Sequence, residues 1–181
     1  VAGTDSNDYA YSAGDSGVVF RADVTADTIT CESLVSGTSE DLNGLRVNED
    51  DSVLVAGDNG TLLSSSNGTS FTLFDLGTSE DLNGFASGNS PLYIFGNNGY
   101  VYDLSGDEVV DIGAGTDNLI NGVDIYDDIS MDYTILILGT SGTVYVSEDD
   151  GDTWTTSDPG SSANLTGVSY FDDDLTIVVA G

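Results

Sequence analysis

The chain of 181 residues carries 32 acidic side chains against two arginines, Arg21 and Arg46, with neither lysine nor histidine, for a net charge of −30. Without imidazole or lysine amine, a Ser-His-Asp relay, Schiff-base chemistry and histidine metal sites are excluded. Nor is there a positive surface to neutralise phosphates, so nucleic acid is not expected as a partner. Hydrophobic residues make up 39% of the chain, and they fall in β patterns that argue for a folded core despite the charge.

Taken in chain order, the elements repeat. YSAGDSG (Tyr11–Gly17) is followed by GTSEDLNG (Gly37–Gly44), LVAGDNG (Leu54–Gly60) and then GTSEDLNG again, letter for letter, at Gly77–Gly84. YIFGNNG (Tyr93–Gly99), TDNLING (Thr116–Gly122), LILGTSG (Leu136–Gly142), SSANLTG (Ser161–Gly167) and IVVAG (Ile177–Gly181) continue the series. The two identical copies lie 40 residues apart, the period of a tandem array of one small supersecondary unit.

One unit reads as four strands. LNGLRVN (Leu42–Asn48) alternates, and SVLVAG (Ser52–Gly57) is a continuous aliphatic run of the kind buried on both faces. Asp58–Gly60 closes a tight turn, since Asn-Gly supplies the positive φ of a two-residue hairpin loop. TLLSSS (Thr61–Ser66) returns and FTLFDL (Phe71–Leu76) runs out. Four antiparallel strands per repeat of about 40 residues predict an all-β fold, a β-propeller with four complete four-stranded blades and the first two strands of a fifth. The blades run 1–41, 42–81, 82–118 and 119–164, with 165–181 incomplete, and together form a single propeller or part of one. A half-blade leaves IVVAG as an apolar edge, so more chain, or another subunit, is expected to complete it. The start at Val1 points to processing or to a longer polypeptide. Twenty-three glycines and no sustained 3.6 period exclude helical solenoids. The longest apolar run, TILILG (Thr134–Gly139), is too short to span a membrane, and Cys31 has no disulfide partner within the chain.

In the repeat that starts at Leu119, Ser147, Asp149, Gly151, Thr153 and Trp154 follow the pattern S-x-D-x-G-x-T-W. This resembles the Asp-box of the bacterial neuraminidase repeat. A decayed version in the second repeat uses Ser64, Ser66, Gly68, Ser70 and Phe71. The resemblance implies a structural turn between third and fourth strands, with Asp149 capping turn amides and Trp154 packing between blades. It does not extend to sialidase activity, which in that family needs three arginines and a Tyr/Glu pair; this chain has two arginines, in different repeats.

Glu40, Asp41 and Asn43, with Glu80, Asp81 and Asn83, place oxygens at successive blade connections, and hard cations such as Ca²⁺ or Mg²⁺ take oxygen ligands. No spacing matches a calcium loop, and solvated turns with loosely held Na⁺ or K⁺ are the plainer reading of these residues and of Asp149–Asp150, Asp152 and Asp172–Asp174. Asn59, Asn67 and Asn164 head Asn-x-Ser/Thr sequons, candidate glycosylation sites. Tyr9, Tyr11, Tyr93, Tyr100, Tyr102 and Tyr145 fall in expected strands and belong in the core, whereas Tyr126 and Tyr170 are candidates for stacking on carbohydrate.

Acidic residues occupy nearly every turn, and lysine is lost throughout. In this the chain resembles proteins of extremely halophilic archaea or their viruses. At molar salt the Debye length falls to about 3 Å, against about 10 Å at 0.1 M, and surface carboxylates stop repelling one another. The sequence therefore predicts a non-enzymatic halophilic β-propeller, a structural or recognition module of an extracellular surface assembly (cell envelope, appendage or virus particle) whose partners are protein subunits or glycans. A glycan-binding adhesin and a carboxylate-dependent glycoside hydrolase are the alternatives.

Overall fold

The computed structural model describes residues 2–4, 9–25, 29–86, 92–105, 108–109, 120–127, 133–149, 152–157, 160, 162–170 and 177–180. The chain divides into two compact units, Val1–Gly84 and Phe85–Gly181. Among the described residues the regular structure is strand, punctuated by single 3-10 turns.

In the first unit, β1 (Ala2–Thr4), β2 (Tyr9–Gly14), β3 (Val18–Asp23) and β4 (Cys31–Leu34) form one antiparallel sheet in chain order. A second sheet of the same order contains β5 (Leu42–Val47), β6 (Val53–Gly57), β7 (Thr61–Ser65) and β8 (Thr72–Asp75). The core lies between them, where Tyr11, Ala13 and Val19 of one sheet meet Leu42, Val53, Val55 and Leu63 of the other. Tyr9, Leu34, Leu45, Val47 and Phe71 close its margins.

The unit boundary falls inside β9 (Leu82–Phe85), the last strand of a sheet ordered β12-β11-β10-β9, with β10 at Tyr93–Gly96, β11 at Val101–Asp103 and β12 at Glu108–Val109. The second unit continues with β13 (Ile120–Asp127), β14 (Tyr133–Gly139), β15 (Val144–Ser147) and β16 (Thr155–Ser157) in one sheet, and β17 (Gly167–Tyr170) paired with β18 (Ile177–Ala180) in a two-stranded one. β14 shows why its apolar run is unbroken. Ile135 and Ile137 pack with Ala86, Tyr93, Phe95, Val101 and Tyr145, whereas Leu136 and Leu138 point the other way, to Val144 and Leu165. All four are essentially inaccessible, and each fully buried side chain of this size contributes about 1.5–3 kcal/mol.

The hairpins between second and third strands share one geometry. Their loops, Asp15–Gly17, Asn97–Gly99 and Thr140–Gly142, are 3-10 turns, and Asp58–Gly60 is the counterpart between β6 and β7. In each, the last two residues are left-handed: Ser16 and Gly17 at φ 58 and 72, Asn59 and Gly60 at 53 and 68, Asn98 and Gly99 at 53 and 69, Ser141 and Gly142 at 60 and 77. The ladder pairs Gly57 with Thr61, so the loop holds three residues and not the two expected from the sequence. The third residue donates nothing to the ladder and is free to carry the positive φ that glycine tolerates best.

Candidate functional site

The repeated GTSEDLNG is the segment that carries the chain from one sheet into the next. Gly37 and Gly77 take positive φ, 86 and 69, and turn the chain. Thr38 and Thr78 then accept the backbone N–H of Glu40 and Glu80 on their hydroxyls, each at 3.1 Å. Asp41 Oδ1 accepts the Ser16 N–H at 2.7 Å, and Asp81 Oδ1 accepts the Asn59 N–H at 3.0 Å. Leu42 and Leu82 are buried.

The same segment presses on the preceding hairpin. A Cβ on Gly17 or Gly60 would overlap the carbonyl of Thr38 or Thr78 respectively, and one on Gly44 would lie 2.6 Å from the Gly84 Cα. A register shift between Leu42 and Gly44 makes Asn43 a bulge residue and re-aims its side chain. Asn43 Nδ2 donates to Asp58 Oδ1 at 2.8 Å and to the Leu82 carbonyl at 3.2 Å, tying two repeats together. The Gly60 N–H donates to the Glu80 carbonyl at 2.9 Å. In the second unit Asn164 Oδ1 accepts the Ser141 N–H at 3.2 Å, the same clasp made with a neutral residue.

The expected cation-binding residues of the first unit thus lie together on one rim, engaged with neutral donors. Asp41 and Asp81 cap hairpin amides, Glu40 Oε2 accepts Asn59 Nδ2 at 2.7 Å, Glu80 serves through its carbonyl, and Asn83 is half-buried beside the Gly44–Gly84 contact. No group of three or more acidic, histidine or cysteine side chains among the described residues is arranged to hold a metal ion. Asp150 and Asp172–Asp174 lie outside the described residues. Ser16, Asp58 and Asn59 complete the rim. The sequence shows them as members of turn tripeptides, with Asn59 also heading a sequon, and their connection partners lie 15 to 25 residues away.

The turn after β15 is organised by Asp149. Its Oδ1 accepts the Ser147 hydroxyl at 2.9 Å and the Thr153 N–H at 2.8 Å, while Oδ2 accepts the Thr153 hydroxyl at 2.6 Å. The Thr153 hydroxyl, with the Thr153 and Ser147 bonds behind it, holds this carboxyl below the ordinary carboxylate range. Trp154 packs against the core cluster that contains Tyr93, Ile135 and Tyr145, and Gly151 lies outside the described residues. The corresponding turn after β7 is organised by Asn67, whose Oδ1 accepts the Ser65 hydroxyl and the backbone N–H groups of Thr69 and Ser70. The anchors there are Ser65 and Asn67, one residue beyond the Ser64 and Ser66 that the sequence pattern suggests.

The two arginines are far apart in role. Arg21 pairs with Glu32 at 2.7 Å and lies 4.4 Å over the Tyr9 ring, and the Glu32 hydrogen bond raises its pKa. Arg46 donates from Nε to Asn48 at 2.8 Å, and burial lowers its pKa. Tyr11, Tyr93, Tyr102 and Tyr145 are core residues, and Tyr9 and Tyr100 are half-buried. The side chains of Tyr126 and Tyr170 lie outside the described residues. An open cavity of about 660 Å³ in the second unit is lined by Ser141, Thr143, Thr156, Ser157 and Ser162 with two glycines. No helix among the described residues is long and apolar enough to cross a membrane.

Among solved structures, the chain is similar to YCF48 from Cyanidioschyzon merolae at 18% identity and a TM-score of 0.63, over 91% of this chain and 58% of that one. It is similar to YCF48 bound to D1 peptide at 17% identity and 0.64, over 91% and 55%. It is also similar to the β-propeller domain of Cps50 (Swd1) from Myceliophteria thermophila at 14% and 0.68, over 98% and 60%. The chain spans a little over half the length of these structures. No protein family matches its sequence, and no curated protein does. With identities this low the likeness speaks to the fold alone: the chain has the all-β propeller fold of the WD40 and YCF48 kind, built from four-stranded antiparallel sheets.

Proposed function

We propose that the chain is a non-enzymatic interaction module that binds a protein partner through the rim of hairpins and connections, as part of a surface assembly in concentrated salt. The observation that carries this reading is the clasped rim. Ser16, Asp41, Asn43, Asp58, Asn59 and Asp81 are fixed by hydrogen bonds across adjacent repeats, so polar groups are presented with little conformational entropy left to lose on binding. Rigid scaffolds with loops at one end are where recognition sites are commonly built. A solved YCF48 structure of the same fold has a bound D1 peptide, which supports a peptide or protein as the class of ligand. The high-salt setting rests on the charge of −30, and the hydrogen bonds from Ser147 and Thr153 to Asp149 support an Asp-box reading of that turn.

The test is site-specific photo-crosslinking in the native host at about 3 M salt. A crosslinking side chain at Asn59, on the rim, should capture one protein species. The same group at Leu73, on the outer strand β8, should not. Equal capture from both positions would remove the rim from the account, and glycan hydrolysis lost on changing two carboxylates would replace binding with catalysis.

A further inference from the structure

The three sequons are chemically alike in sequence but occupy three different situations. Asn59 lies in the β6–β7 hairpin with φ 53. Its Nδ2 is held by the Glu40 carboxylate at 2.7 Å and its backbone N–H by Asp81, and the hydroxyl-bearing Thr61 is buried in β7. Asn164 spends its oxygen on the Ser141 N–H, and the next residue, Leu165, is buried in a core cluster. Both asparagines serve as clasps between a hairpin and a connection.

Asn67 is different. It is exposed at the end of β7, and Oδ1 accepts four donors: the Ser65 hydroxyl at 3.2 Å, the Thr69 N–H at 3.0 Å, the Thr69 hydroxyl at 3.0 Å and the Ser70 N–H at 2.9 Å. Two of these donors are backbone amides, which only an oxygen can accept, so the orientation of the carboxamide is fixed. In the equivalent turn Asp149 uses both of its oxygens, Oδ2 taking the Thr153 hydroxyl. Asn67 concentrates all of that work on one atom, and among the described residues Nδ2 of this exposed side chain makes no hydrogen bond. The turn is backed by Gly68, whose φ is 67 and whose Cβ position is filled by the Tyr11 hydroxyl, so the backbone of the sequon is held in one conformation.

From this geometry we infer that Asn67 is the N-glycosylation acceptor of the folded chain. Hydrogen bonds to a carboxamide oxygen draw electron density from its nitrogen and make the N–H more acidic, so a transferase base can remove a proton more easily. In the reaction, Asn67 Nδ2 forms a bond to the anomeric carbon of an oligosaccharide carried on a lipid phosphate. The bond from that carbon to the phosphate oxygen breaks, the lipid phosphate leaves with the electron pair, and one Nδ2 proton passes to the transferase base. The Thr69 hydroxyl, two residues on and 3.0 Å from Oδ1, is the sequon hydroxyl such enzymes require. Asn59 and Asn164 could reach the same state only by breaking contacts that join repeats. The inference is independent of which partner the rim binds.

The purified, folded chain would be incubated with a single-subunit oligosaccharyltransferase that reads Asn-x-Ser/Thr and a lipid-linked oligosaccharide, and peptide mass mapping would score each sequon. Synthetic peptides of the three sequons, run alongside, report what the enzyme accepts without a fold. The expected result is modification of all three peptides, but in the folded chain a glycan on Asn67 with at least tenfold higher occupancy than on Asn59 or Asn164. N67D keeps an oxygen acceptor for the turn, as Asp149 does naturally, and should fold normally while losing the glycan. A folded chain unmodified at Asn67, or modified as readily at Asn59 or Asn164, would overturn the assignment.

Discussion

Asp81 accepts the backbone N–H of Asn59 at 3.0 Å, fastening the connection that enters β9 to the hairpin of the sheet before it. The relationship recurs between Asp41 and Ser16 and between Asn164 and Ser141, so the repeat unit carries its own fastener to its predecessor. The hairpin residue that donates is left-handed each time, at φ 53, 58 and 60, which turns its N–H out of the ladder and toward the acceptor.

Packing of the connection on the hairpin glycines is tight enough to forbid a methyl group. Gly60 combines φ 68 with a Cβ position already filled by the Thr78 carbonyl. G60A should lose the cost of a left-handed alanine, about 1–2 kcal/mol, with the overlap adding to it, as read by urea unfolding at constant high salt. G77A, also at positive φ (69) but with open space around its Cβ position, should lose only the smaller cost of a left-handed alanine, about 1–2 kcal/mol. Equal losses at the two positions would mean that the carbonyl contact does not form.

The Asp149 turn has a pH signature. Its folded carboxyl is lowered chiefly by the Thr153 hydroxyl, so its contribution is fully present above the unfolded value of about 3.9 and is lost as pH falls through the lower folded value. The stability gap between wild type and D149N should therefore be constant near neutrality and close in acid below pH about 4. A gap that persists unchanged at pH about 2 would show that the charge plays no part.

Tyr100 is stacked on Tyr102 at 6.4 Å, and its hydroxyl is buried without a hydrogen-bond partner among the described residues. Burial accordingly raises its pKa. Removing an unsatisfied hydroxyl removes a desolvation cost, so Y100F should stabilise the fold by about 1 kcal/mol. Destabilisation in the same unfolding assay would reveal a partner for that oxygen.

Charge governs the fold as a whole. With a net charge of −30, the chain should be native in about 3 M KCl and unfold cooperatively on dilution to about 10 mM, where the screening length grows to about 30 Å. Far-UV circular dichroism follows this directly. Retention of the native spectrum at low salt would detach the composition from any high-salt setting.

The strands were largely legible because their signals are local. The continuous run Val53–Gly57 reads as a strand buried on both faces, and all of it but the half-buried Leu54 is buried; the all-apolar Ile135–Leu138 packs on both faces. The repeat itself was visible letter for letter, but the task of each letter was not, because Asp41 and Asp81 act on residues 25 and 22 positions away. The register of the second Asp-type turn was missed by one residue for a similar reason. The loop from Ser65 to Phe71 is one residue shorter than that from Ser147 to Trp154, so a spacing taken from one does not transfer to the other. Only the hydrogen bonds converging on Asn67 reveal which side chain has taken the place of Asp149.

Amide hydrogen exchange at Asn59, measured in wild type, D81A and D81N at constant high salt, tests the clasp most directly. The account predicts slow exchange in wild type and D81N, since Asn164 shows that an asparagine oxygen suffices, and accelerated exchange in D81A alone, with amides within β6 and β7 unchanged. Rapid exchange at Asn59 in the wild-type chain, or indifference to D81A, would contradict it.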